Sequence, residues 1–307
     1  MIKKFFLLVI IICILTLSAN AFGTGINLMF NDEETTVSSF GSFNGNRSQG
    51  MLPFFKIRNI KNSNPITFYN HYKGILIAKI NTQKVVIEPY VSKNLVTSKD
   101  VFDKLEPLLV VNAGFFDGNN GKSVSYVVKN GITIANPEEN DNLYSNPILC
   151  SNMDKILNRA EFRILKKSND LKYDIALHNS PVQQGWDILH SIQAGPMLLP
   201  YNSSVEEFFV KYNEQGELVR DAISVTRKTA RTAIGIKDND VYIIIATREM
   251  PLTIEALAQL CKTLGLEKAM GFDGGGSTSL DTKNIHITSE KDGTARKVKS
   301  FLIVNTR

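Results

Sequence analysis

The chain has 307 residues, of which 43% are hydrophobic and 21% charged, with a formal net charge of +5. That balance supports a packed core and excludes wholesale disorder. The excess positive charge is small, and no dense Lys/Arg cluster interleaved with aromatics marks a nucleic-acid binder.

The chain opens "MIKKFFLLVIIICILTLSANAFG". Lys3 and Lys4 precede an apolar run from Phe5 to Leu17, followed by Ala19-Asn20-Ala21. This is the layout of a secretory signal peptide over residues 1–21. The run is short of the roughly 20 residues a membrane span needs, so an exported chain without a stable membrane span is expected after cleavage. Residues 22–68 are rich in Asn, Ser, Gly and Thr and read as a polar, flexible linker. The remaining 69–307 read as one domain.

In that domain "GILIAKIN", "KVVIEPYV" and "LLVVNAG" have the branched apolar composition of strands. "SVSYVVKNGITIA" sets Asn130-Gly131 between two strand-like runs, a strong hairpin signal. "RTAIGIKDNDVYIIIAT" repeats the plan around Asp238-Asn239-Asp240. Helices are few. "SKDVFDKLEP" and "SVEEFFVKYN" are short candidates, and "TIEALAQLCKTLGL" is the clearest. There Thr253 can cap, Ile254, Leu257, Ala258 and Cys261 share a face, and Gly265 ends the helix. "KAMGFD" follows as a short buried strand. No period of 20–50 residues indicates a solenoid or propeller. The fold class is α/β (α+β): a single, sheet-rich mixed domain with a few helices.

Past the leader, Cys150 and Cys261 do not make a disulfide framework, and Cys261 reads as a small buried hydrophobe. Four other stretches carry chemistry: "VVNAGFFDG", "SIQAGPMLL", "RTAIGI" and "GFDGGGSTSL". Each places a polar side chain beside small residues at an expected strand end. Asn112 can cap a turn or bind a sugar hydroxyl through its donor and acceptor. Asp117 before Gly118 fits turn chemistry. Gln193 beside Ala194-Gly195 fits a strand end. Arg231 can be an edge charge or hold phosphate through its planar fork. Asp273, before Gly274, Gly275 and Gly276, can be a turn acid, a general acid/base or a metal ligand, and the glycine amides can form an anion nest. The chain has no GxxxxGK[ST], GxGxxG or GxSxG motif, and His71, His178, His190 and His286 are scattered without zinc-ligand spacing.

"VNAGFF", "QAGPMLL", "RTAIGI" and "FDGGGSTSL", in this order, resemble the phosphodiester glycosidase family, over roughly Gly74 to Arg307. The family's first motif has glycine where this chain has Ala113, and residues 138–185 match nothing that can be anchored. The resemblance implies hydrolysis of a sugar-1-phosphodiester at the anomeric C–O bond, releasing sugar and a phosphomonoester. Such a site binds phosphate, stabilises an oxocarbenium-like transition state and directs water. Of the residues present, Asp273 suits the carboxylate at the anomeric centre, with Asp117 or Glu249 as a second acid. Arg231 and Gly274, Gly275 and Gly276 suit the phosphate. Asn112, Gly114, Gln193, Thr232 and Thr247 suit the sugar, and Ser277 and Thr278 add hydroxyls. The sequence requires no cofactor and leaves room for a divalent cation. The partner is a glycan or sugar phosphate, with no nucleic acid. Two alternatives stay open: a non-catalytic glycan-phosphate binding module of the same fold, and a metal-dependent phosphodiesterase cleaving P–O.

Overall fold

A computed structural model describes residues 64–289 and 292–307. The expected signal peptide and the linker up to residue 63 lie outside the described residues. The chain enters through a hairpin, β1 (Ile66–Tyr72) and β2 (Ile75–Ile80), and runs along β3 (Val85–Val96) into helix α1 (Ser98–Leu105) and β4 (Leu109–Asn112). A second hairpin, β5 (Val127–Lys129) and β6 (Ile132–Ala135), leads to three short helices, α2 (Asp141–Ser145), α3 (Pro147–Cys150) and α4 (Met153–Leu157). Strands β7 (Ala160–Lys167), β8 (Asp170–Leu177), β9 (Asp187–Gln193), β10 (Met197–Leu199), β11 (Val210–Tyr212) and β12 (Leu218–Asp221) follow. Then come β13 (Arg231–Lys237), β14 (Asp240–Ala246), α5 (Ile254–Thr263), β15 (Lys268–Gly271), β16 (Ser279–Asp281), β17 (His286–Thr288) and β18 (Val298–Thr306).

These strands form three large sheets and a small ribbon. The first sheet is ordered β1-β2-β14-β13-β15-β10, the second β17-β16-β4-β18-β3, and the third β6-β5-β9-β7-β8; β11 and β12 pair alone. The central pairs are antiparallel. One apolar core joins the three large sheets, drawing Ile77, Ile243 and Ile244 from the first, Leu109 and Leu302 from the second, and Phe162 and Ile192 from the third. A smaller cluster of Val101, Val110, Phe301 and Ile303 seals α1 onto the second sheet. The protein is thus a sheet-rich mixed α/β domain. Among the described residues no helix is long and apolar enough to cross a membrane.

Local chemistry explains the connections. Asn130 and Gly131 both take positive φ, 54° and 74°, as a two-residue hairpin turn requires. Asp238 and Asn239 do the same between β13 and β14, at 50° and 63°. Thr253 caps α5 by accepting the Ala256 amide at 3.1 Å, and Gly265 follows the helix at φ 72°. Cys261 is fully buried on its inner face, where burial pushes the thiol up to about 12; Cys150 is exposed, and neither is bonded to another cysteine.

"SVEEFFVKYN" is not a helix. Ser204–Phe208 form turns and Val210–Tyr212 a strand. The reason is Glu207. Its buried carboxylate accepts the amides of Ala160 (2.9 Å) and Met197 (2.7 Å) and the Ser203 hydroxyl. Those long-range bonds outweigh the helical pattern of the stretch. The same carboxylate explains Gly195, which sits at φ 106°, where an added Cβ would lie 2.1 Å from Glu207 Oε2.

Candidate active site

Strand β15 ends at Gly271, and the chain turns through Phe272 and Asp273 into a short 3-10 turn, Gly275–Ser277, before β16. Phe272 N–H donates to Thr232 O (2.8 Å) and Asp273 N–H to Ala113 O (2.7 Å). The loop is therefore pinned between the first sheet, through β13, and the second, through the end of β4. Asn112 makes the junction. Its Nδ2 donates to Asp273 O (2.5 Å), while its Oδ1 accepts the Thr232 hydroxyl (2.8 Å) and the Ser279 amide (3.0 Å). Asn112 and Thr232 are both fully buried. Their polar groups hold the loop carrying Asp273.

The three glycines answer to three different demands. Gly274 presses against β13, where an added Cβ would meet Ala230 O at 3.0 Å. Gly275 takes φ 59° to start the turn and donates its amide to Ala230 O at 2.8 Å. Gly276 leaves room for Arg296, whose Cδ would lie 3.5 Å from an added Cβ. The three amides do not form one anion nest, because Gly275 N–H is already given to Ala230 O. The buried hydroxyls of Ser277 and Thr278 have no well-formed hydrogen bond.

Asp273 is half-buried. Burial pushes its carboxyl up to about 6; the nearby Ser277 hydroxyl, the Arg296 charge and the Gly274 amide pull the other way without cancelling it. Arg296 was not legible in the sequence. It lies in "DGTARKVK", just before β18, and no local spacing distinguishes it from its lysine neighbours. Its guanidinium stands 5.4 Å from the centre of the Phe116 ring, and its Nη2 would lie 3.8 Å from a Cβ added at Gly118. Arg296 is exposed. The fold therefore brings one half-buried carboxyl on the glycine loop and one exposed guanidinium from the approach to β18 close together.

Other expected residues are used differently. Arg231 is buried, and its fork is occupied by backbone: Nε donates to Leu252 O (2.9 Å), Nη1 to Ile223 O (2.9 Å), and Nη2 to Ser224 O (2.6 Å) and Arg227 O (3.0 Å). The arginine expected to hold phosphate instead holds the 223–227 loop onto β13. Burial lowers it to about 10. Asp117 is a turn acid, with Oδ1 accepting the Asn119 amide (2.8 Å) and Oδ2 the Asn142 side chain (2.7 Å). Although it is partly buried, those hydrogen bonds hold it below the usual carboxylate range. That is the wrong direction for a proton donor. Glu249 lies 3.6 Å from Lys73, and Thr247 donates to Gly74 O (3.3 Å), both at the β1–β2 turn. Gln193 is buried and donates to Leu157 O at 2.7 Å. Gly114 packs between Gln193 O, Ser125 and Ser300, each 3.0 Å from an added Cβ. Neither Gln193 nor Gly114 keeps a polar group open for a sugar. Among the described residues no group of three His, Cys, Asp or Glu side chains is arranged to hold a metal ion.

The antiparallel, sheet-rich fold is shared with solved structures. The chain aligns with a hypothetical protein from Synechocystis at a TM-score of 0.53 and 13% identity, covering 80% of this chain and 64% of that one. It aligns with the catalytic domain of zebrafish N-acetylglucosamine-1-phosphodiester alpha-N-acetylglucosaminidase, auto-inhibited by its pro-peptide, at a TM-score of 0.55 and 15% identity, covering 79% and 82%. Identities that low establish the shared fold alone. No curated protein sequence gives a significant match. The sequence itself matches the phosphodiester glycosidase family over residues 106–305, most of its length, and the chain belongs to that family.

Proposed function

We propose that the protein is an exported hydrolase that cleaves a sugar-1-phosphodiester at the anomeric C–O bond, acting on an envelope or extracellular glycan. The observation that carries this reading is the juxtaposition of Asp273, its carboxyl raised to about 6, with the exposed Arg296 on the glycine loop. Family membership and the signal-peptide layout of residues 1–21 support it.

The chemistry is divided as follows. Arg296 and the Gly276 amide hold the phosphate and take up the charge that grows on it as the C–O bond breaks. A phosphomonoester leaves well without a proton, so a second carboxylic acid is unnecessary. Asp273, ionised above about pH 6, stabilises the oxocarbenium-like centre and takes a proton from the attacking water. The hydroxyls of Ser277 and Thr278 can turn toward the substrate, since no well-formed bond to a protein acceptor holds them. Asn112 and Thr232 keep the loop in register.

The test is hydrolysis of a panel of sugar-1-phosphodiesters in isotopically labelled water. Label is expected in the released sugar. Label in the phosphate would instead identify a phosphodiesterase, and binding without release a non-catalytic module. Arg296→Ala is expected to lower kcat/KM by about 100-fold, the scale of a lost charge-assisted contact, with an unchanged melting temperature.

A further inference from the structure

The turn that receives the Asp273 amide is held from its other side by a residue the chemistry above does not use. Three consecutive amides follow β4. Ala113 N–H donates to Ser300 O (3.1 Å), Gly114 N–H to Ser300 Oγ (3.1 Å) and Phe115 N–H to Ser125 Oγ (2.9 Å). Ser300 is fully buried on β18. Its hydroxyl also donates to Gly114 O at 3.4 Å, so both backbone polar groups of Gly114 answer to one side chain. A Cβ added at Gly114 would lie 3.0 Å from that hydroxyl oxygen, so the bare backbone at 114 and the hydroxyl at 300 fit each other.

The place of Ser300 in β18 gives this contact its reach. Beyond it the strand is regular, with Phe301 opposite Asn112 on β4 and Tyr90 on β3. Before it the register with β3 breaks, from Ser300 opposite Val91 to Val298 opposite Val96. Regular pairing thus stops at Ser300, on the stretch that leads back to Arg296. On the other side of the same turn, Ala113 O accepts the Asp273 amide at 2.7 Å and Asn112 Nδ2 donates to Asp273 O. Buried hydrogen bonds therefore run from the Asp273 loop through Ala113 to Ser300, and the chain continues from there to Arg296.

We infer that Ser300 is a positioning residue for the proposed glycosidase reaction, setting where the Asp273 loop stands relative to Arg296. Its catalytic meaning rests on that reading, whereas its hold on the loop rests on the hydrogen bonds alone. Alanine at 300 would leave the Gly114 amide buried without its acceptor, a cost the turn can relieve only by shifting. A shift there moves Ala113 O and, with it, Asp273. Misplacing a reacting group by about 1 Å costs on the order of 100-fold in rate.

Ser300→Ala and Ser300→Cys in the full chain test it, with Thr82→Val as the control. Thr82 is also buried, and its hydroxyl donates to Asn239 O (2.9 Å) at the β13–β14 turn, the end of β13 away from Thr232. Carbon-13 NMR of the Asp273 carboxyl, assigned by its loss in Asp273→Asn, reads the loop without any turnover. In Ser300→Ala the titration midpoint is expected to fall by about 0.5 pH units, because a loosened loop admits water to a carboxyl held up by burial. On a sugar-1-phosphodiester, kcat should fall about tenfold while KM changes less than about twofold. Ser300→Cys keeps a weak acceptor and should fall between wild type and Ser300→Ala on both readouts. Thr82→Val should lower the melting temperature and move neither. Ser300→Ala that titrates and turns over as wild type, or Thr82→Val that moves both readouts as far, would overturn the inference. A shifted Asp273 titration in Ser300→Ala alone, in a protein that hydrolyses no phosphodiester, would sink the proposed reaction and leave the hold of Ser300 on the loop standing.

Discussion

Asp273 and Arg231 show how two charged side chains of neighbouring elements can serve opposite ends. Asp273 keeps its carboxyl raised from the ordinary 3.8 to about 6, a destabilising state for an ionised group. A carboxyl whose folded pKa lies above its unfolded value opposes folding once charged. The cost is absent below about pH 3.8 and complete above about 6, and the rise corresponds to about 3 kcal/mol at most. Asp273→Asn is therefore expected to raise the melting temperature at pH 7.5 and to leave it unchanged at pH 3.5, which calorimetry at the two pH values would read. An Asp273→Asn variant less stable than wild type at pH 7.5 would contradict the assigned environment. Arg231 is the reverse case. Its four bonds to carbonyls stabilise the chain, and Arg231→Ala would leave Leu252, Ile223, Ser224 and Arg227 oxygens without that donor. A loss of about 3 kcal/mol or more in denaturant unfolding is expected, with the fold impaired before catalysis is. Asp117, bonded on both oxygens, should tolerate Asp117→Asn with little change in the pH profile of activity.

At the scale of elements, local signals were legible wherever a local cause sets the structure. Asn130-Gly131 and Asp238-Asn239 declared hairpins because those residues accept positive φ. Thr253 and Gly265 declared the ends of α5 because caps satisfy orphan backbone groups. "SVEEFFVKYN" misled because Glu207 answers to Ala160, Met197 and Ser203, and two of those partners are remote from the turn it sits in. The same carboxylate makes Gly195 irreplaceable: a methyl group would meet Glu207 Oε2 at 2.1 Å on a backbone at φ 106°. Gly195→Ala is expected to cost about 2–4 kcal/mol, seen as a lowered midpoint in urea. A variant as stable as wild type would show that the Gly195–Glu207 packing is not rigid.

Across the whole molecule, the candidate site is assembled from segments far apart in sequence. Asn112 reaches Thr232, Asp273 and Ser279, and Arg296 comes from the approach to the last strand. The glycine loop and its acid were readable because glycine runs and a strand-end aspartate are local signals. Arg296 was not, because only the closure of β18 against β3 and β4 carries it to the loop. The division between the buried Arg231 and the exposed Arg296 was equally hidden, since both are single arginines beside apolar strands. The proposed reaction places its chemistry at Asp273. The most direct test is the pH dependence of kcat/KM on a sugar-1-phosphodiester for wild type and Asp273→Asn. The wild-type rate should rise through an apparent pKa of about 6 to a plateau, and the variant should lose about 10³-fold and that limb with it. An Asp273→Asn protein that turns over like wild type, with the same rise near pH 6, would place the reaction elsewhere.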